Sequence, residues 1–275
     1  MTNIGIFDSG LGGLTVYKEI KAHFPLHSFI YVGDLAYLPY GEKSTDVIIK
    51  RSKKIVNFLL TKNIKSIIVA CNSASSVALK TLKSIYDIPI LGVINSSISL
   101  AIKTTKTNSI GVIGTQTTIY SNAYQKGLLT QQKNINKNYK LVSVSCPLFV
   151  PLVEEGWHKN KEVVYEVAFK YLKTMYLQDP DIDTIILGCT HYPMLLEVLH
   201  DVLSNLGYKN LTFITNGDAI MYKINQDNIF KDDAIQQESL LNHQDKFYIT
   251  DKSYNFQKLA NNFLSNQINL EIVSL

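Results

Sequence analysis

Short apolar runs alternate with helix-period segments along almost the whole chain, and few folds accommodate such a pattern. The runs fall at 4–7, 29–32, 66–70, 90–93, 110–113, 141–145, 184–187, 211–214, 247–249 and 270–273. Between them lie amphipathic stretches such as 14–23, 47–60, 75–85, 161–177 and 195–206. Strand and helix repeated in this way build βαβ units, whose sheets are mostly parallel and covered by helices on both faces. Ten strands are many for one such sheet, so the expectation is an α/β protein of two similar lobes. No linker-like segment separates them, which places the boundaries in ordinary loops near 95–98 and 208–211. The first lobe then comprises 1–97 and 210–275, completed by the C-terminal segment, and the second comprises 98–209.

Two of the chain's three cysteines sit in matching contexts. "IIVACNSAS" (67–75) and "IILGCTHYP" (185–193) share one layout: apolar strand, small residue, cysteine, polar residues, then a predicted helix. The cysteines, Cys71 and Cys189, are 118 positions apart, about one lobe's length. Open α/β sheets bind ligands at the carboxyl ends of their strands, which is where both thiols fall. Free N–H groups at a following helix start favour an anion there, including a thiolate. If the lobes face each other, two thiols approach one cleft from opposite sides. One can then take a proton from a carbon while the other delivers a proton to the opposite face, which is two-base racemisation. The third, Cys146, adjoins proline and apolar residues and reads as core packing.

Composition excludes several other classes. A net charge of +4 over 275 residues, with scattered lysines, offers no nucleic-acid stripe. The local run "KRSKK" (50–54) falls on an amphipathic helix and reads as a solvated face. There is no signal-peptide pattern and no apolar run of membrane length, so neither export nor a membrane partner is expected, and the cytoplasm is the expected compartment. No C-x-x-C or other metal-ligand spacing is present. The loop "IFDSGLGGLT" (6–15) resembles a dinucleotide fingerprint, and Asp34 mimics its ribose-binding acid. But Thr15 stands where the third glycine belongs, and Asp8 would repel a pyrophosphate.

Taken in order, "FDSGLGGLTV", "GDLAYLPYG", "ACNSAS", "CPLFVPLVEEG" and "GCTHYP" resemble the glutamate racemases of the aspartate/glutamate racemase family. The resemblance runs from the first strand to at least residue 193. It implies two α/β lobes with the active site in the cleft between them, no cofactor and no metal. It implies interconversion of L- and D-glutamate, the D form being destined for peptidoglycan. On that resemblance Cys71 handles the proton on the D side and Cys189 that on the L side. Asp8 and His191 assist the neighbouring thiols, and Glu154 matches an acidic position near the site. Asp8, Ser9, Tyr40, Gly41, Asn72, Ser73, Thr190 and His191 match substrate-contacting positions. Residue 73 is serine where the family usually has threonine, which keeps the hydroxyl. Dimers are common in the family, so a homodimer is among the states the resemblance allows. Members activated by a cell-wall precursor carry an N-terminal extension that is expected to be missing here.

One reading of the residues meets this independently. Glutamate carries two carboxylates, yet Arg51 is the only arginine and falls on a predicted helix face. Anion sites must then come from backbone N–H groups, hydroxyls and amides, such as those of Ser9, Asn72, Ser73 and Thr190. The rivals are a racemase of another acidic amino acid such as aspartate, a thiol hydrolase using Cys189 and His191, and a non-catalytic binding protein. The hydrolase reading is disfavoured because positions i and i+2 on a helix start do not face each other.

Overall fold

The computed structural model describes residues 3–208, 210–230, 245–252, 254–264 and 267–275. All ten expected apolar runs are strands: β1 (Asn3–Asp8), β2 (Ser28–Gly33), β3 (Ile64–Val69), β4 (Ile90–Gly92), β5 (Ser109–Gly114), β6 (Lys140–Ser145), β7 (Thr184–Gly188), β8 (Thr212–Ile214), β9 (Lys246–Ile249) and β10 (Leu270–Ile272). They form two sheets, ordered β10-β9-β2-β1-β3-β4 and β6-β5-β7-β8, and every pairing is parallel. β2, β5 and β7 are buried along their whole length. Their continuous Ile, Val and Leu content is what a parallel strand covered on both faces requires.

The expected boundaries do not coincide with element ends. Residue 97 lies inside a helix spanning Val93–Thr104, and β8, expected in the first lobe, pairs with β7 in the four-stranded sheet. β9 and β10 do return to the six-stranded sheet. Residues 231–244, which belonged to the expected first lobe, lie outside the described residues.

The helices are α1 (Leu14–His23), α2 (Thr45–Leu60), α3 (Asn72–Val77), α4 (Leu79–Ile85), α5 (Val93–Thr104), α6 (Gln116–Tyr120), α7 (Ala123–Ile135), α8 (Phe149–Glu154), α9 (Lys161–Gln178), α10 (Leu196–Asn205), α11 (Asn216–Asp227) and α12 (Tyr254–Leu264). The single helix expected over 75–85 is broken at Ala78 into α3 and α4. Its serines bond backward to the main chain, Ser75 Oγ to the Val69 carbonyl at 2.9 Å and Ser76 Oγ to the Ser73 carbonyl at 2.8 Å. Such bonds compete with helix continuation. α5 was not expected, since three serines interrupt its apolar stripe. It packs against α11, α7 and the four-stranded sheet and so bridges the two halves.

Register decides which residues meet beyond the strand ends. Gly114 of β5 pairs with both Gly188 of β7 and Ser145 of β6. The next residue on each chain, Thr115, Cys189 and Cys146, therefore leaves the sheet at one level. On the other sheet Phe7 pairs with Val69 and Asp8 with Gly33, so Asp8, Asp34 and Cys71 emerge together.

Candidate active site

The two sheets point these ends at one small cleft. Ser9, Tyr40, Gly41, Cys71, Asn72, Ser73, Cys189, Thr190 and His191 all line it, together with Pro39, Thr115 and Val150. Its cavity volume is only about 20 Å³, so the walls are closed on each other. Among the described residues no lysine or arginine lines it. Asp8 and Glu154 stand just behind the lining, each bonded to a residue that forms it.

Cys71 occupies the cap position of α3, and its sulfur lies 4.0 Å from Ser9 Oγ. The sequence-based argument expected a helix field to favour the thiolate there. Instead burial, followed by the negative charge of Asp8, pushes the Cys71 thiol up, beyond the ordinary cysteine range. The Ala74 N–H and the Ser9 hydroxyl offset this only in part. The physical reason is enclosure: desolvation of the charged form exceeds what the N–H groups at the start of α3 return. Enclosure thus favours the protonated thiol at Cys71.

Cys189 differs in its neighbours. The residues after it do not continue as a helix but turn through His191 into a 3₁₀ segment, Tyr192–Leu195. That turn brings Cys189 Sγ within 3.7 Å of His191 Nδ1, so the two side chains do face each other, contrary to the expectation from helical spacing. The far nitrogen, Nε2, meets Glu154 Oε1 at 2.5 Å. Burial opposes a charge on His191, yet hydrogen bonds to Cys189 and Glu154 and their charges outweigh it. The ring is held well above the usual histidine value, as an imidazolium.

Asp8 ties the sheets together. One oxygen accepts the Gly10 N–H at 3.0 Å and the other accepts the Thr190 hydroxyl at 3.2 Å. Gly12 lies beneath, where a Cβ would come within 2.2 Å of Thr190 Oγ1 and 2.7 Å of His191 Nδ1, so only glycine lets the loop pass. Ser73 and Thr115 share a hydrogen bond at 3.0 Å across the cleft, and Thr117 Oγ1 donates to the Gly41 carbonyl at 2.9 Å.

Tyr40 lines the cleft beside Gly41 and donates its hydroxyl to Asp34 at 2.5 Å. Arg51 lies otherwise than its residue type suggested. It is not on a solvated face; it is 3% exposed and forks onto both Asp34 oxygens, at 2.8 and 2.9 Å. Thr250 Oγ1 also donates to Asp34, at 2.7 Å. Asp34, the apparent ribose-binding acid, is thus a buried acceptor that holds the 38–41 loop.

Thr115, Asn216 and Tyr124 were not singled out in the sequence. Thr115 stands in register with Cys189, and the other two bond to Asn72. Cys146 lies outside the lining, fully buried, with its sulfur 3.7 Å from the Val144 carbonyl. Among the described residues no three His, Cys, Asp or Glu side chains are grouped to hold a metal ion, and no helix is long and apolar enough to cross a membrane.

Two parallel α/β sheets thus meet at one closed cleft, with a thiol from each, which makes the chain a two-sheet α/β protein with a shared site. The model of the Asp/Glu/Hydantoin racemase family matches residues 12–214, and the chain belongs to that family. It is 41% identical to a glutamate racemase of Persephonella marina, over 99% of this chain and 97% of that protein. Among solved structures it resembles glutamate racemase isoform RacE1 of Bacillus anthracis, with a TM-score of 0.88 and 34% identity over 100% and 98% of the two chains. It also resembles glutamate racemase of Francisella tularensis in complex with D-glutamate, with a TM-score of 0.85 and 34% identity over 99% and 97%.

Proposed function

We propose that this protein interconverts L- and D-glutamate without a cofactor, by proton transfer between Cys71 and Cys189. The observation that carries the proposal is the convergence of both thiols, one from each sheet, on a single closed cleft. In the L-to-D direction Cys189 as thiolate takes the α-proton, and the electron pair left on carbon delocalises into the α-carboxylate. Cys71 as thiol then gives its proton to the opposite face. The cycle ends with the thiol on Cys189 and the thiolate on Cys71, and the D-to-L direction reverses each step. The protonated state of Cys71 and the imidazolium beside Cys189 suit the start of the L-to-D direction.

The substrate's two carboxylates find hydroxyls and main-chain N–H groups from Ser9, Asn72, Ser73, Thr115 and Thr190. His191 supplies the cleft's positive charge. Thr115 faces Ser73 from the other sheet, so a carboxylate between them closes the lobes on itself. We assign the D-glutamate formed to peptidoglycan synthesis in the cytoplasm, with no nucleic-acid or membrane partner. A homodimer is the assembly to test first.

A chiral assay with both enantiomers of glutamate and of aspartate tests the reading. Racemisation of glutamate alone supports it. Turnover of aspartate in preference to glutamate reassigns the substrate, and activity on neither defeats the proposal.

A further inference from the structure

Asn216 is 1% exposed and opens α11, immediately after the edge strand β8 of the four-stranded sheet. Its carboxamide does not serve its own helix, because α11 is already capped by Thr215 and Asp218 in a reciprocal pair. Instead it reaches across to the end of β3 in the other sheet. There Nδ2 donates to Asn72 Oδ1 at 2.5 Å and approaches the Ala70 carbonyl at 3.4 Å. In return Asn216 Oδ1 accepts from Asn72 Nδ2 at 3.2 Å. Ala70 and Asn72 are the two residues that flank Cys71.

We propose that Asn216 is a positioning residue for the Cys71 thiol. It grips the chain on both sides of that cysteine, and it is anchored to the opposite sheet. Asn72 spends its remaining donor hydrogen on the Tyr124 hydroxyl at 3.0 Å, from α7. Every amide N–H of the two side chains is therefore bonded, and their planes are locked relative to each other. This matters because α3 is too short and too interrupted to fix its own first residue. The carboxamide touches neither thiol, so its effect passes through the main chain. The inference deepens the two-thiol reading of the cleft and rests on it for its consequence in turnover, but not for its test.

The test is alkylation of the ligand-free protein by iodoacetamide, followed separately at each cysteine by peptide mass spectrometry. Asn216→Ala and Asn216→Ser both remove the double grip, and serine leaves a smaller void if alanine impairs folding. The expected result in either variant is at least a fivefold faster reaction at Cys71, with Cys189 and Cys146 within twofold of wild type. Cys146 reports general loosening, since it is fully buried away from the cleft. An unchanged or slower Cys71, or a parallel rise at all three thiols, overturns the proposal. Loss of racemase activity with unaltered Cys71 labelling does the same. Selective labelling in a protein that racemises nothing would retain the positioning role and reject the assigned reaction.

Discussion

Glu154 accepts a 2.5 Å hydrogen bond from His191, and in doing so turns the other face of the imidazole toward the Cys189 sulfur. The carboxylate thereby sets both the ring's orientation and its charge. Because the folded ring's pKa lies above the ~6.5 of an unfolded histidine, the stabilisation is fully present below that pH. It is lost as pH rises through the folded value. Glu154→Gln should therefore lower thermal stability most at about pH 6, with the gap to wild type narrowing toward alkaline pH. The same variant should reduce kcat at least tenfold, about 1.4 kcal/mol of barrier. A stability gap that widens with pH would show that His191 is neutral in the folded protein.

Arg51 and Asp34 form a buried, forked ion pair that also receives Tyr40 and Thr250. Removing one partner leaves a buried charge, which typically costs about 3–5 kcal/mol. Arg51→Met should lose stability in that range by chemical denaturation. It should also raise KM, because the 38–41 loop loses its anchor. Arg51→Lys should recover part of both effects. An Arg51→Met protein that unfolds at the wild-type denaturant concentration would mean the pair is dispensable.

Much of this fold is legible in the residues, and the failures have specific causes. The central strands are visible because a doubly covered parallel strand must be continuously apolar, as in "TIILG" of β7. Arg51 was legible too: it lies three residues after Ile48 and four before Ile55, on the same inward face of α2. Judged by charge rather than by phase, it was placed outside. The contact between Cys189 and His191 was missed because the turn after β7 is not helical. Thr115, Tyr124 and Asn216 belong to the site only through strand register and through the crossing of α7 and α11, neither of which local sequence displays. The raised pKa of Cys71 depends on enclosure, which exists only once both sheets are in place.

Cys146 is the negative control for the two-thiol reading. Burial, with Cys189 nearby, pushes its thiol well above the ordinary cysteine value, so it stays protonated and unreactive at neutral pH. Its carbonyl, not its sulfur, holds the Tyr192 hydroxyl at 2.9 Å. Cys146→Ser should cost about 1 kcal/mol of stability and leave kcat within twofold. A folded but inactive Cys146→Ser protein would show that the wrong thiol was set aside.

Gly41 tests the closeness of the cleft walls. A Cβ there would lie 2.7 Å from Thr115 Cβ, on the opposite lobe. Gly41→Ala should hold the walls apart and reduce kcat/KM at least tenfold, with a smaller effect on melting temperature. Wild-type kinetics in that variant would mean that the walls do not need to meet.

The division of labour between the thiols is tested most directly by α-proton exchange in heavy water. Each cysteine faces one side of the α-carbon, so removing one should stop racemisation while the other still exchanges its own enantiomer with configuration retained. Cys189→Ala should exchange the α-proton of D-glutamate through Cys71, and Cys71→Ala that of L-glutamate through Cys189. The preference within each variant is the decisive quantity, since every 1.36 kcal/mol added to the barrier slows exchange about tenfold. Opposite preferences in the two variants are the predicted result. The same preference in both, or wild-type racemisation by either, would contradict the two-thiol account.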